Sequence, residues 1–365
     1  MEDHSPKPIR CKGDRRRSAQ AYEIRIRIVC TTLCHTDITF WQGKRPLTTA
    51  ASSPRRCRVV ESVGEHVEGF AAGDAVVPTL LGQCDRCPSC KSAHNNLCTS
   101  VPVTLAPGMR RDGTTRFRDA QGNQLHDLFA VSSFSEYAVV DVTQVVKVDP
   151  AIPPKIACLL GCAAGTGVGA AWRLAKVEPG SSVAIFGLGS VGLAVAQGAK
   201  MCGASKIIGV DLNPEKEKVG KAFGVTDFVN PTQIDRTSVS EVIGGMTGGG
   251  VDYSFECVGV PSVMTDAFRS TKTGNGKTII LGLGNQTDLL CVPALELLFG
   301  KCVMGSALGG IKPKTDIPIL AEKCMSKELE LDGLVTHEVG LREINTAFDL
   351  LLQGKSLRCI IWMDK

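Results

Sequence analysis

Residues 182–211 restrict the fold of this chain more tightly than any other stretch. Ser182-Val183-Ala184-Ile185-Phe186 reads as a short buried strand, and Gly187-Leu188-Gly189-Ser190-Val191-Gly192 follows without a break. A helical run, Leu193 to Lys200, comes next. The glycine motif alone says little, but strand, glycine turn and helix in that order form the fingerprint of a dinucleotide-binding unit. Gly187 permits the tight turn, Gly189 lets backbone approach a pyrophosphate, and Gly192 allows the helix to lie close on the strand. The helix N-terminus then offers free N–H groups and a positive dipole end to phosphate. A second strand, Lys206 to Val210, ends in Asp211, where such a unit carries the acid that accepts hydrogen bonds from ribose hydroxyls. That carboxylate would repel a 2′-phosphate, so NAD is expected over NADP. Further strands are expected at Tyr253–Cys257 and Lys277–Leu281, each followed by glycine.

A second constraint is Cys84-x₂-Cys87-x₂-Cys90-x₇-Cys98. Four thiolates at this spacing can wrap one tetrahedral zinc, leaving no open coordination position, so the site would shape a lobe and perform no chemistry. Four unrelated thiols or two disulfides are the alternative. Gly82, Asp85, Pro88, Lys91 and Asn95 around the cluster read as a surface loop.

The 365 residues are enough for two domains. Short β-like runs (Tyr22–Cys30, Val59–Val63, Ala75–Leu80, Ser135–Val148) fill the first half, and alternation in Tyr22–Ile28 marks a half-buried strand. From about Ala163, strand–turn–helix units follow, so the expected fold is a β-rich lobe followed by an α/β lobe with a parallel sheet. A formal charge of +4 implies no nucleic-acid or membrane partner, and the basic run Lys12–Arg17 reads as a solvated face. The apolar run Ile156–Trp172 is too short and too glycine-rich for a spanning helix. Sixteen cysteines in a chain of this length with no signal peptide fit metal-bound and free thiols, hence a cytoplasmic location.

Three more motifs carry a resemblance: Cys34-His35-Thr36-Asp37 within Cys-Thr-Thr-Leu-Cys-His-Thr-Asp, Leu160-Gly161-Cys162-Ala163-Ala164-Gly165-Thr166-Gly167, and Gly354-Lys355-Ser356-Leu357-Arg358. From about Ala21 onward the chain resembles the zinc-dependent alcohol dehydrogenases of the medium-chain dehydrogenase/reductase family, most of all their plant alcohol dehydrogenase-like branch. The resemblance implies a GroES-like catalytic domain from residues 1–163 and 308–365, and a doubly wound (Rossmann) NAD-binding domain from residues 164–307. It implies that Cys34 and Cys162 are thiolate ligands of a catalytic zinc and that Thr36 passes the alcohol proton outward. His35 and Arg358 would contact the pyrophosphate, Thr166 and Val191 would flank the nicotinamide, and Lys216 would contact the adenosine ribose. The chemistry implied is hydride transfer between NAD and a primary or small hydrophobic alcohol or aldehyde, with zinc lowering the alcohol's pKa. Trp41 and Leu80 would line the pocket, and a homodimer is expected.

The chain departs from that pattern in several places. Thr39 stands where many relatives carry a relay histidine, and Pro102 stands where glutathione-dependent relatives carry an arginine. The family's Gly-His-Glu element, source of the third catalytic-zinc ligand, is replaced by Thr48–Arg58, which holds no histidine or glutamate. Of the six histidines, His4 and His337 lie far from the motifs, His94 and His126 fall in or after the four-cysteine loop, His35 is assigned to phosphate, and His66 follows a strand and should face solvent. Cys57 is the best surviving candidate. Residues 13–19 also replace an early strand pair, and the two breaks together suggest an altered reading frame or a splice error. A catalytically silent NAD- and zinc-binding descendant, or an enzyme working without catalytic zinc through Thr36, are the competing readings.

Overall fold

The structure, a computed structural model, describes residues 18–42, 56–104, 108–119, 121–125, 127–285 and 287–364, with 56–58 described by backbone alone. The Lys12–Arg17 run, residues 13–17 and 48–55 of the two altered segments, His4 and His126 lie outside the described residues.

The chain forms two compact units, one of residues up to Cys162 with Lys312–Ser326 and Leu331 onward, the other of Ala163–Ile311 with Lys327–Glu330. We propose these as the catalytic and cofactor domains; the breaks at 162/163 and 311/312 lie one and four residues from the boundaries expected above.

The first unit contributes β1 (Glu23–Thr32), β2 (Arg56–Val63), β3 (Ala75–Pro78), β4 (Phe117–Arg118), β5 (Gln124–Leu125), β6 (Tyr137–Asp141) and β7 (Val145–Lys147). The second contributes β8 (Ser182–Phe186), β9 (Lys206–Val210), β10 (Asp227–Val229), β11 (Tyr253–Glu256), β12 (Lys277–Ile280) and β13 (Cys302–Gly305). The chain then returns to the first unit as β14 (Val335–Gly340) and β15 (Arg358–Trp362).

Strands of the first unit run β14-β15-β1-β2-β3-β7, with β6 also paired to β1. β1 is the organiser: its first half pairs with β6, its last residues with β15, and its other edge with β2. Register shifts at Arg25/Ile26 and Ile28/Cys30 bend it, as β-bulges do. The expected alternation is present, with Ile24, Ile26 and Ile28 buried and Arg27 exposed. Ile24 and Ile26 enter one core cluster with Val60, Val76 and Val140, and Ile28 enters another with Leu33, Ile344, Phe348 and Ile361.

The continuous strand-like run Ser135–Val148 is a correction: it splits into β6 and β7. Asp141 ends β6 because its carboxylate accepts from the Thr143 N–H (2.8 Å) and hydroxyl (2.6 Å), a local turn that outcompetes the ladder.

The second unit is a six-stranded sheet, parallel at every pairing, in the order β10-β9-β8-β11-β12-β13. This is the doubly wound order, in which the chain reverses direction across the sheet beside β8. Ile156–Trp172 is divided between two short helical segments, and no single described helix is long and apolar enough to cross a membrane.

Candidate functional site

The glycine turn between β8 and the helix Ser190–Met201 has the geometry its residues predict. Gly187 sits at φ +89°, and a Cβ there would stand 2.7 Å from Val258 Cγ2. A Cβ on Gly192 would lie 1.9 Å from the Gly187 carbonyl oxygen, so helix and turn touch through backbone. Gly189 differs: it is exposed, precedes the helix, and a Cβ there would meet nothing within 4 Å. That is open space over free helix N–H groups, which suits a pyrophosphate. Leu188 is buried, and its N–H donates to Asp211 Oδ2 (2.8 Å), while Asp211 Oδ1 accepts from the Asn213 N–H (2.9 Å). Asp211, next after β9, therefore fixes the turn while remaining half-exposed. Lys216 opens the next helix, with its ammonium pKa lowered by burial against the pull of Asp211 and Glu215. Ser190 and Val191 are half-buried, and so is Thr166 on the helix Ala163–Gly169. A Cβ on Gly167 would fall 2.4 Å from the Val191 carbonyl, so the helices bearing Thr166 and Val191 meet closely.

One residue of this site escaped the sequence reading. Glu256 ends β11 opposite Phe186, is fully buried, and its Oε1 accepts from the N–H groups of Val258 (2.8 Å) and Gly259 (2.7 Å). It thereby holds the turn that abuts Gly187. Its Oε2 has no hydrogen-bond partner among the described residues, and burial raises its pKa. A carboxyl whose pKa folding raises keeps its proton longer when folded. Its destabilising effect is absent below the ordinary glutamate range, builds as pH climbs through the raised value, and stays. Glu256→Gln should therefore raise the unfolding temperature by a few degrees at about pH 8 and leave it unchanged at about pH 4. A thermal-shift series across pH checks this, and an equal gain at both ends would refute it.

In the first unit, Cys34 caps the helix His35–Trp41: its sulfur accepts from the Thr36 N–H (3.4 Å), and its own N–H donates to Asp37 Oδ2 (2.9 Å). The thiol and the Thr36 hydroxyl are 3.5 Å apart. His35 is exposed, and Thr39 directs its hydroxyl to the His35 carbonyl (3.0 Å). Cys162, half-buried, follows the helix Pro154–Leu160 and donates its N–H to the Leu159 carbonyl. Arg358 is buried, with Nη1 on the Leu33 carbonyl (2.8 Å) and Nε without a partner among the described residues. Burial lowers its pKa, opposed by the charges of Cys162, Asp37 and Cys158. Trp41 packs edge-on against Phe348 at 5.2 Å between centroids, and half-buried Leu80 gives its carbonyl to Arg110. Arg110 also bonds the Pro102 carbonyl (2.7 Å).

No third metal donor joins Cys34 and Cys162 among the described residues. His66 is exposed and edge-on to Tyr22, His94 is exposed, and His337 is half-buried in β14. Cys57 lies in β2 opposite Cys30 of β1, described by backbone alone.

Cys84, Cys87, Cys90 and Cys98 do converge, with all four sulfurs within 4.8 Å of one another. The pairs Cys84–Cys90 and Cys87–Cys98 are each 3.9 Å apart. Sulfurs about 2.3 Å from a tetrahedral zinc stand about 3.8 Å from each other, so the donors already match the metal. Asp85, Pro88, Lys91 and Asn95 are exposed, as expected of a surface loop, and only Gly82 of that set is buried; Cys87 and Cys98 are buried with Val101, because the turn Pro88–Lys91, capped by Cys87, folds the chain over its own sulfurs. Hydrogen bonds, first from the Thr99 side chain and then from the Cys90 N–H, hold Cys87 down at about 5, whereas burial pushes Cys90 up to about 12. All four sulfurs could ionise in so small a space only around a cation, which makes the cluster a candidate metal site.

Residues 20–150 match the profile of the alcohol dehydrogenase GroES-like domain, and residues 190–326 that of zinc-binding dehydrogenases. "Alcohol dehydrogenase-like 5" of Arabidopsis thaliana is 51% identical, over 99% of this chain and 98% of that protein. "Alcohol dehydrogenase class-3" of Oryza sativa subsp. japonica is 44% identical, over 95% and 91%. Among solved structures, an alcohol dehydrogenase zinc-binding domain protein from Burkholderia ambifaria superposes with a TM-score of 0.88 at 33% identity, covering 96% of this chain and 94% of that one. Benzyl alcohol dehydrogenase from Acinetobacter calcoaceticus gives 0.85 at 29% identity, with the same coverage.

Proposed function

Because the chain belongs to the zinc-dependent medium-chain alcohol dehydrogenases, in their plant branch, we propose that it transfers hydride between NAD and a primary or small hydrophobic alcohol or aldehyde. The carrying observation is the turn Gly187–Gly192, open at Gly189 and pinned by Asp211 through the Leu188 N–H. NAD, when bound, supplies the hydride acceptor. The helix Ser190–Met201 would face the pyrophosphate with its free N–H groups, Asp211 and Lys216 would hold the adenosine ribose, and Thr166 and Val191 would flank the nicotinamide. His35, exposed, and Arg358 are further proposed phosphate contacts. Thr36 would carry the proton from the substrate oxygen. The Thr39 hydroxyl is occupied by the His35 carbonyl, so that proton leaves through water. We assign a shape-holding zinc to Cys84, Cys87, Cys90 and Cys98.

A catalytic zinc needs three protein ligands, and Cys34 with Cys162 supplies two. The described residues do not complete that site. The same observation favours a second reading, a silent NAD- and zinc-binding descendant. Zinc per chain in chelator-washed protein, measured beside NADH formation from a series of primary alcohols, separates the two. About two zinc ions and chelator-sensitive turnover support the enzyme. About one zinc with NADH binding and no turnover would leave the silent protein. In the first case, Cys57→Ser should lower zinc toward one and abolish turnover.

The described cysteines are all free thiols, which supports a reducing, cytoplasmic setting. We also propose a homodimer through the cofactor unit. β13 is the last strand of its sheet, and Leu289, Leu295, Leu298 and Phe299, all more than half exposed, precede it. Large exposed apolar residues gathered in one segment mark an interaction surface. Leu289→Asp/Leu298→Asp should yield a monomer with intact secondary structure, read by light scattering. A dimer unaffected by both charges would place the interface elsewhere.

A further inference from the structure

The segment Lys312–Thr315, more than two hundred residues downstream of the cysteine cluster, is fastened to it. Lys312 Nζ donates to the carbonyls of Cys90 (2.7 Å) and Ser92 (2.6 Å), on either side of Lys91. The Lys314 N–H donates to Gln83 Oε1 (2.8 Å), and Gln83 Nε2 in turn bonds Asp85 Oδ1 (2.6 Å) and the Thr315 hydroxyl (3.0 Å). The half-buried Lys314 ammonium has its pKa lowered by burial, against the pull of Asp85, Asp141, Cys84 and Cys90. Both lysines belong to the same unit as the cluster.

Two consequences follow. An ammonium bridging two carbonyls fixes the backbone around Cys90 and with it the aim of that sulfur. Four thiolates around a divalent cation also leave a net charge of about −2 in a half-buried setting, which the adjacent Lys312 ammonium offsets in part. We propose that Lys312 is a positioning residue of the four-cysteine metal centre, clamping the Cys90–Ser92 backbone and neutralising the thiolate charge so that the metal is retained. This rests on the reading of the cluster as a zinc site. Groups that orient metal ligands typically change metal affinity by about 10–100-fold when removed.

The test is the rate at which purified full-length protein yields its zinc to excess chromogenic chelator, with the ligand-field spectrum of the cobalt-substituted protein as an independent readout. Lys312→Met, which keeps the chain length and loses the cation, should release zinc about 10–100-fold faster and shift the cobalt bands. Lys312→Arg should restore retention to within a few-fold of the parent, a rescue that a general packing role does not predict. Raised salt should speed release from the parent more than from Lys312→Met. Lys323→Met, further along the same helix Pro313–Met325, is the control. Should Lys312→Met not fold, Lys312→Gln serves the same comparison with a donor kept and the charge lost. Parent-like retention and spectrum in the uncharged variant would overturn the proposal. A parent with no chelator-resistant zinc would instead overturn the reading of the cluster as a zinc site.

Discussion

Gly192→Val should abolish NAD(H) binding and destabilise the second unit, whereas Gly189→Val should abolish binding and leave stability unchanged. The difference comes from what each new side chain meets. At position 192 the first atom would lie 1.9 Å from the Gly187 carbonyl oxygen and 3.2 Å from Ile185 Cγ2. Neither neighbour can yield, since one is backbone and the other belongs to the centre of the sheet, so helix and strand must part. At position 189 nothing lies within 4 Å, and the valine would occupy only the space a pyrophosphate needs. We expect both variants to weaken NADH by more than about 100-fold, roughly 2.7 kcal/mol, in a fluorescence titration. Only Gly192→Val should lower the unfolding temperature. Unimpaired NADH binding by Gly189→Val would place the cofactor elsewhere and sink the proposed site.

Glu23→Ala should cost about 3–5 kcal/mol of stability. Arg116 is 2% exposed and makes a two-point contact with Glu23, Nη2 to Oε1 at 2.5 Å and Nε to Oε2 at 3.0 Å. It also contacts Asp112 (2.7 Å) and the Thr114 hydroxyl. The pair joins the first residue of β1 to the segment that enters β4, 93 positions away. Removing the carboxylate leaves a buried guanidinium with Asp112 as its remaining charged partner, and the lower end of the range reflects that partner. Replacing both members, Glu23→Leu with Arg116→Met, should recover most of the loss, because an apolar pair carries no desolvation penalty. Urea midpoints of the parent, both single variants and the double variant form the cycle that measures this. A loss below about 1 kcal/mol in Glu23→Ala would mean that water or Asp112 satisfies the arginine.

The sequence showed the glycine turn because every part of it is local. A buried strand, a turn needing glycine and a helix start are consecutive, and Asp211 closes the next strand. The four-cysteine cluster was legible for the same reason, its donors falling between residues 84 and 98. Alternation in β1 showed which isoleucines face the core. Ser135–Val148 misled because apolar content alone does not reveal that Asp141 can satisfy the Thr143 N–H and end the strand. Glu256 gave no signal beyond an acid at the end of a buried strand. Cys34 and Cys162 carried meaning only through resemblance, and the described residues bring no third donor to them.

Local chemistry therefore determined two things from sequence alone: a doubly wound α/β unit, and a turn of four thiols suited to a tetrahedral metal. Tertiary structure decided what joins distant parts of the chain. It returned β15 to β1, buried Arg116 against Glu23, placed Glu256 behind the Gly187 turn, and set Lys312 on the backbone at Cys90. The reason is physical. A turn or a helix start is specified by the conformational preferences of adjacent residues, whereas a buried ion pair or a clamp between remote segments forms only once folding has removed both partners from water, and no short stretch of sequence records which partner that will be.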